Sequence, residues 1–422
     1  MLHPEHELVL FEAAEQPGGH AHTVRVETDT GAYDVDTGFI VFNDRNYPSF
    51  ERLLDELSVP TRASRMSFGV SDGADFEYNG ASPNGIFANR RHLIEPAFQR
   101  MLADLVRFNR EARELLRGDA DPSLREWLAG QRYSRGFVDR LIVPQAAAVW
   151  SADPAQMWSF PARFLVEFFD NHGMLGFRDR PCWRTVTGGS RCYVEALTRP
   201  WRERLRLSTP VTGIRREPGH VTVSARGEEP DTFDAVVIAT HSDQALALLE
   251  DPSERERELL GAIPYQRNEA VLHTDRSLLP RRRRAWASWN YHLDPGGAGA
   301  GGVGEAGGVG GVREAGGAAG CTVTYHMNRL QSLRADRELC VTLNRTAAID
   351  PRQIIRTMQY AHPVYTPACV AAQARHREIS GGGNRTHYCG AYWGWGFHED
   401  GVKSALRVVS ELGARGTQAV GV

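Results

Sequence analysis

The sequence predicts an α/β protein with two domains. Its 422 residues exceed the ~100 to 200 residues of a usual domain. Residues 7–12, ELVLFE, form an apolar run that ends in an acid, as in a buried parallel strand. Helical periodicity dominates residues 46–180, and strand and helix patterns alternate from residue 209. We therefore expect one domain with parallel strands and a second domain that is helical with a mixed sheet.

Composition narrows the class of protein. The chain is 41% hydrophobic and 24% charged, which is ordinary for a globular protein. A net charge of -3 gives no electrostatic reason to expect a nucleic-acid partner. No run approaches ~18 apolar residues and no signal-peptide pattern is present, so we expect a cytoplasmic protein without a transmembrane segment. The six cysteines lack CxxC spacing and are expected to be reduced thiols. No pattern indicates an oligomeric state.

The individual elements follow from changes in period along the chain. After the first strand, a turn at 17–19 is followed by strand patterns at 23–28 and 33–42 and by helical patterns at 46–57 and 90–116. The later patterns predict helices at 153–169, from the TGGS motif at 187–190 to about 205, and at 242–249, with strands at 211–215, 221–225, 233–240, 268–273, 284–292, 321–327 and 340–344.

A stretch rich in glycine, alanine and valine interrupts the second half of the chain. Residues 296–320 are expected to form a flexible insertion, because so many glycines make ordering costly. The stretch contains two GxGxxG matches, which start at Gly299 and Gly302. Neither is expected to bind a cofactor, since no strand precedes them and no helix follows.

Two features near the N-terminus suit a nucleotide. Glu12 ends the first predicted strand, where an acid can accept hydrogen bonds from the ribose hydroxyls of an adenine dinucleotide. Gly18 and Gly19 follow, and glycines let the backbone approach a ligand closely. An ordinary turn after an edge strand explains the same residues equally well. His20 and His22 form an HxH pair, and His3 and His6 form an HxxH pair. No third ligand joins either pair, so no metal is expected.

The richest segment is residues 388–405, YCGAYWGWGFHEDGVKSA. Glycines alternate with aromatic residues, and an acid-glycine pair then opens a predicted helix at Gly401. Backbone N–H groups at a helix N-terminus can face an electron-rich ligand edge, as in a reduced flavin. The alternative is an aromatic cluster packed in the core, with the glycines as turns.

These motifs resemble the flavin amine-oxidase superfamily, and specifically its bacterial branch of predicted NAD/FAD-binding proteins. The resemblance is carried by FEAxxxxGGHxHT, VDTGFIVFNxxxYP, VTYxMNRLQ and CGAYWGxGFHEDGxxSA, and it extends over nearly the whole chain outside the glycine-rich insertion. It implies bound FAD and oxidoreductase chemistry. It also implies a discontinuous, Rossmann-like FAD-binding domain (residues 1–45, 184–262 and 380–415) and a substrate domain (residues 46–183 and 263–379).

The resemblance assigns expected roles to individual residues. Glu12 would bind the ribose, Gly18 and Gly19 would lie along the dinucleotide, and Thr37 and Gly38 would line the flavin face. The remaining cofactor-binding residues would be Val211, at the adenine, and Gly390, Asp400, Gly401 and Val402, at the ribityl chain and pyrimidine edge. The apolar walls of the substrate pocket would be Phe39, Tyr392, Trp393 and Trp395.

Two departures from the family pattern bear on the substrate. Many amine oxidases have an acid where this chain has Ala391, and many hold a lysine near the flavin, whereas the only lysine here is Lys403, in the last predicted helix. These departures argue against classical amine oxidation. The apolar pocket walls instead suggest a small-molecule or lipid-like substrate that is small or hydrophobic, such as one with an acyl chain, and no catalytic base is assigned.

A third departure concerns the phosphate-binding loop. The GxGxxG fingerprint should lie ~20 residues before the ribose acid, yet 11 residues precede Glu12. We therefore expect a Rossmann-like domain that lacks its first strand and glycine loop, through an upstream start or a real loss. The 422-residue chain should then hold FAD weakly. A second hypothesis follows, that of a catalytically inactive flavin-fold protein that serves in binding or assembly.

Overall fold

The computed structural model describes residues 2–176, 180–293 and 320–413. The predicted glycine-rich insertion and both of its GxGxxG matches lie outside these residues, apart from Gly320.

The described residues form a mixed α/β fold. The strands are β1 (Leu10–Phe11), β2 (Thr23–Thr28), β3 (Gly31–Asp36), β4 (Val41–Asn43), β5 (Thr61–Ala63), β6 (Phe68–Ser71), β7 (Glu77–Asn79), β8 (Trp183–Val186), β9 (Leu205–Arg206), β10 (Val211–Glu217), β11 (His220–Ala225), β12 (Asp231–Phe233), β13 (Val236–Ile238), β14 (Tyr265–His273), β15 (Trp289–His292), β16 (Val323–His326), β17 (Cys340–Leu343), β18 (Ile354–Pro363) and β19 (Thr386–Tyr388). The α-helices are α1 (Pro48–Glu56), α2 (Pro83–Ile86), α3 (Pro96–Arg117), α4 (Leu124–Gly130), α5 (Arg135–Phe137), α6 (Val143–Trp150), α7 (Ala162–Asn171), α8 (Arg191–Thr198), α9 (Ser242–Leu248), α10 (Glu254–Gly261), α11 (Met327–Leu330), α12 (Pro367–Ala374) and α13 (His398–Glu411).

The largest sheet has the order β18-β14-β17-β16-β15-β6-β7. Its neighbouring strands are antiparallel except for β15 and β6, which are parallel. The strands in the middle of the sheet are fully buried, for example at Ala270, Val323 and Val341, because helices cover them. The helix α6 lies against β15, and its residues Val149 and Trp150 line the cavity described below.

Two short parallel pairs carry the segments predicted to bind nucleotide. Strand β1 pairs in parallel with β9, and β13 pairs in parallel with β19. Within the described ranges β1 and β13 have no other strand partner. The rings of Phe11 and Phe233 lie 6.2 Å apart, which places the start of β13 close to β1.

Several predicted elements differ from the structure. The predicted strand at 33–42 is divided into β3 and β4, because the backbone at Thr37 and Phe39 turns to donate hydrogen bonds to the carbonyls of His22 and His20. The predicted helix start at residue 153 is wrong, since α7 begins only after Pro161. The strands β5, β6 and β7 were missed in a region predicted to be helical, because runs of three or four residues show no period.

The last helix also begins earlier than predicted. It starts at His398 rather than at Gly401, whose N–H already donates to the carbonyl of Phe397. A carboxylate oxygen of Asp400 accepts a hydrogen bond from the N–H of Phe397 at 3.0 Å and caps the helix. Asp400, the acid of the acid-glycine pair, therefore lies inside α13 and stabilises its first turn.

A second carboxylate joins α13 to α1. Glu399 is buried, and its oxygens accept hydrogen bonds from the N–H groups of Ser49 at 3.0 Å and Phe50 at 2.9 Å. These N–H groups lie in the first turn of α1, where no intrahelical acceptor is available. One helix thus supplies the N-terminal cap of the other.

We predict that Glu399→Ala destabilises the protein by ~1 to 2 kcal/mol, because two N–H groups lose a charged acceptor. Urea unfolding followed by circular dichroism measures the change. Glu399→Gln should cost less, since an amide oxygen still accepts. The control is Lys403→Ala, which removes the ammonium group 3.6 Å from Glu399 and leaves the hydrogen bonds of Glu399 to Ser49 and Phe50 in place. An equal loss of stability in the control would show that the ion pair, and not the cap, is what matters.

Candidate cofactor and substrate site

A cavity of about 630 Å³ lies at the carboxyl ends of the parallel strands. Glu12 follows β1, Thr240 and His241 follow β13, and Gly390 follows β19, and all of them line the cavity. Segments that are far apart in the chain thus end at one place. In open α/β folds this edge is where ligands bind.

One wall of the cavity is backbone. Gly18 has a φ of +126°, and a Cβ atom there would lie 2.7 Å from the carbonyl oxygen of Ala21. At Gly38 a Cβ atom would lie 2.0 Å from the carbonyl oxygen of His20. Both positions therefore require glycine, and the chain at 18–20 and 37–39 can approach a ligand closely.

The opposite wall is aromatic. Tyr392, Trp395 and Phe397 line the cavity from the segment before α13. The indole N–H of Trp150 donates to the carbonyl of Trp395 at 3.1 Å, and the Gln373 amide donates to the carbonyl of Tyr392 at 2.7 Å. These two hydrogen bonds fix an otherwise irregular segment.

Partly buried histidines also line the cavity. The ring of His20 lies 5.7 Å from that of His241, 5.4 Å from that of His362 and 4.8 Å from that of Tyr360. Burial, and after it the neighbouring His241, lowers the pKa of His20 to about 4. Burial likewise lowers the pKa of His362 to about 3, with His20 and His241 adding to the effect. The cluster is therefore uncharged at neutral pH and offers polar contacts without charge.

The predicted site residues separate into two groups. Those that line the cavity are Glu12, Gly18, Gly19, Thr37, Gly38, Phe39, Gly390, Tyr392 and Trp395. Those that do not line it are Val211, Trp393, Asp400, Gly401 and Val402. Trp393 packs against His376 at 4.6 Å, and Val211 begins β10. Cofactor contacts for Val211 and for residues 400–402 stay predictions, as does the role of each lining residue.

The sequence reasoning missed several lining residues. His241 directly follows the predicted strand 233–240, so the rule that ligands bind at strand ends would have found it. Tyr360 and His362 gave no such signal. They lie on β18 and reach the cavity only through its antiparallel register with β14, in which Tyr360 faces Asn268 and His362 faces Gln266.

The lining residues fit a flavin dinucleotide. A carboxylate at a strand end, close glycine backbone and an aromatic wall match its ribose and its ring system. The buried hydroxyl group of Tyr365 lines the cavity and has no hydrogen-bond partner among the described residues, so a polar ligand atom suits it. No group of three or more metal-binding side chains occurs in the part of the chain that the structure describes.

The fold and the cavity together are those of an α/β protein of the dinucleotide-binding type. The chain matches the family model described as flavin containing amine oxidoreductase over residues 1–288, and it belongs to that family. The resemblance to the flavin amine-oxidase superfamily is thus confirmed, and with it the flavin cofactor, FAD. No curated protein is similar enough in sequence to match the chain.

Solved structures of low sequence identity share the fold. Putrescine oxidase bound to putrescine has 14% identity and a TM-score of 0.62, with 98% of this chain and 95% of that chain covered. Cyclohexylamine oxidase from Brevibacterium oxydans IH-35A has 15% identity, a TM-score of 0.62 and the same coverage. A fatty acid isomerase from P. acnes that produces CLA has 13% identity and a TM-score of 0.59, with coverage of 95% and 92%. Among the described residues, no helix is both long and apolar enough to cross a bilayer.

We predict that Gly38→Ala weakens FAD binding by about tenfold or more, because the added methyl group forces the 37–39 backbone away from His20. Titration of the protein with FAD, followed by flavin fluorescence, measures the affinity. Gly130→Ala is the control, since nothing lies within 4 Å of a Cβ atom at that position in α4. Wild-type affinity in Gly38→Ala would contradict the close backbone approach.

Proposed function

We propose that the protein is an FAD-dependent oxidoreductase that acts on an uncharged, hydrophobic small molecule, such as one with an acyl chain. The observation that carries the proposal is the charge of the cavity. Of the described residues, Glu12 is the only Asp, Glu, Lys or Arg that lines it. The histidines of the cavity are held neutral by burial.

The chain's own residues would hold and orient the cofactor. Glu12 would accept hydrogen bonds from the ribose hydroxyls, and Gly18, Gly19 and Gly38 would leave room for the dinucleotide. When bound, FAD supplies the two-electron redox chemistry. The task of the protein is then to exclude water and to orient the substrate.

The far end of the cavity is suited to an apolar chain. Val149 and Trp150 of α6 line it together with Trp289, Tyr325 and Leu343 from the large sheet. Burial of each methylene group there stabilises a complex by ~0.8 kcal/mol. An ammonium group in the same place would lose its hydration without gaining a carboxylate partner, which is costly.

Lys403 bears on the amine-oxidation alternative. It is half exposed, lies 3.6 Å from Glu399 and does not line the cavity. A lysine beside the flavin is thus not available from this position. The solved structures that share the fold include a putrescine oxidase and a fatty acid isomerase, so the fold accommodates both a cationic and an apolar substrate class. The lining of this cavity favours the second class.

We predict that uncharged long-chain compounds perturb the flavin spectrum at concentrations about tenfold or more below those needed for putrescine, because only the former avoid an unpaired buried charge. Anaerobic absorbance titration of the FAD-loaded protein compares a long-chain alcohol or amide with putrescine and cyclohexylamine. Preferential reduction by the amines would overturn the substrate assignment. A flavin that is bound but that no compound of either kind reduces would support the inactive binding or assembly protein.

A tryptophan pair gives a matched test of the apolar end. Trp289→Ala should weaken binding of the long-chain ligand by about tenfold, through lost apolar contact. Trp201→Ala is the control, because Trp201 lies outside the cavity and donates to the carbonyl of Leu197. Equal effects of the two substitutions on the ligand Kd would show that the alkyl chain of the ligand does not bind against Trp289.

A further inference from the structure

The side chains of Thr37, Tyr360 and His22 are joined to one another by hydrogen bonds beside the histidine cluster. The Thr37 hydroxyl lies 2.7 Å from the hydroxyl of Tyr360 and 2.7 Å from Nδ1 of His22. The Tyr360 hydroxyl lies 3.2 Å from the same Nδ1 atom. Thr37 and Tyr360 are 5% and 9% exposed, whereas His22 is half-buried. A buried pair of hydroxyl groups thus ends at an imidazole near the surface.

The set connects two separate cavities. Thr37 and Tyr360 line the cavity of the candidate flavin site. His22 instead lines a second cavity of about 690 Å³, which is open to solvent. Gly19 borders both cavities, so the wall between them is thin. The second cavity is called the arginine groove, because Arg25, Arg191, Arg199, Arg202 and Arg356 line it.

We propose that Tyr360, Thr37 and His22 form a proton relay between the flavin cavity and the arginine groove. The relay rests on the function proposed above, since it serves the two-electron oxidation in the flavin cavity. Neither the function nor the family match assigns a role to His22 or Tyr360.

The oxidation releases a proton that such a path can carry. Removal of two hydrogens from a substrate breaks one C–H bond, whose hydrogen leaves with both electrons to the flavin, and frees the second hydrogen as a proton. No lysine, arginine or aspartate among the described residues lines the cavity to take this proton, and Glu12 is at the nucleotide end. The buried histidines resist protonation, because burial lowers the pKa of His20 to about 4.

The atoms of the relay balance without further reactants. A hydroxyl group donates and accepts hydrogen bonds at once. A proton that arrives at the Tyr360 oxygen displaces the hydroxyl hydrogen towards Thr37, and the Thr37 hydrogen moves to Nδ1 of His22. One proton then leaves Nε2 of His22 to water in the groove, and the imidazole is neutral again.

The charge of the groove favours release at this end. Five arginines line it against two glutamates, Glu15 and Glu195. Arg356 lies four residues before Tyr360 on β18, and so on the same side of the strand. Burial, and after it the charge of Arg356, lowers the pKa of His22. An imidazolium at His22 is therefore short-lived, and the proton passes on to solvent.

The test follows proton uptake without any substrate. Reduction of bound flavin consumes two electrons and one proton. FAD-loaded protein is therefore mixed anaerobically with reduced methyl viologen, which donates electrons without releasing protons, in weakly buffered solution, and flavin absorbance and a pH indicator are recorded together. In the wild type, proton uptake should keep pace with bleaching of the flavin. In His22→Ala it should lag by about tenfold or more, the scale of a lost proton-transfer group.

Rescue separates a relay from a structural role. Added imidazole should restore proton uptake in His22→Ala, because the groove is open to small molecules. Tyr360→Phe should lag as well but should not respond to imidazole. The control is His220→Ala, an exposed histidine on β11 that pairs with Glu217 outside both cavities.

Each remaining outcome overturns a defined claim. Proton uptake that matches flavin bleaching in all variants overturns the relay and leaves the proposed function standing. A lag in His22→Ala that imidazole does not reduce shows a structural role and overturns the relay too. Protein that shows no flavin absorbance after incubation with FAD and gel filtration overturns the proposed function, and the relay falls with it.

Discussion

The site depends on one buried carboxylate, that of Asp36. It accepts hydrogen bonds from the hydroxyl of Thr23 at 2.6 Å, from the N–H of Ser190 at 2.8 Å and from the amide of Gln331 at 3.0 Å. Burial raises its pKa to about 6, while the hydrogen bonds from Thr23 and Ser190 favour the charged form. A carboxylate that is 1% exposed requires all of these partners. Because they come from β2, the start of α8 and the turn after α11, Asp36 fixes these segments around β3.

Asp36 thereby fixes the position of Thr37, the residue that follows it. With β3 held in place, Thr37 and Gly38 must turn against the carbonyls of His22 and His20, and the backbone wall of the cavity results. The VDTGF segment was predicted to continue one strand, and only the family resemblance assigned Thr37 and Gly38 to the flavin face. The dependence of this turn on Ser190 and Gln331 was not predictable, since these partners are 154 and 295 residues away in the chain.

Features formed by residues close together in the sequence could be predicted, and features formed by distant segments could not. Glu12, Gly18 and Gly19 were found because strand, acid and glycines follow one another within a few residues. The periodic helix α3 was found because Phe98, Met101 and Phe108 repeat at helical spacing on its buried face. Tyr360 and His362 were not found, because β18 reaches the cavity only through pairing with β14. The short strands β6 and β7 join the large sheet through β15, more than 200 residues later, and carry no local period.

The arrangement also explains how one fold can serve different substrates. Glu12, His241 and Gly390 line the cavity at the carboxyl ends of β1, β13 and β19, and they would form the cofactor end proposed above. The other walls come from α6 and the large sheet, whose side chains can change without moving those strand ends. In this protein the cavity walls from α6 and the large sheet are mainly aromatic and aliphatic, and their polar groups are neutral hydroxyl and imidazole groups. A low-dielectric cavity of this kind strengthens every electrostatic contact inside it, so an unpaired charge is excluded more strongly than in water. A proton that the reaction releases would be carried from such a cavity by the hydrogen-bonded side chains of Tyr360, Thr37 and His22, as proposed above.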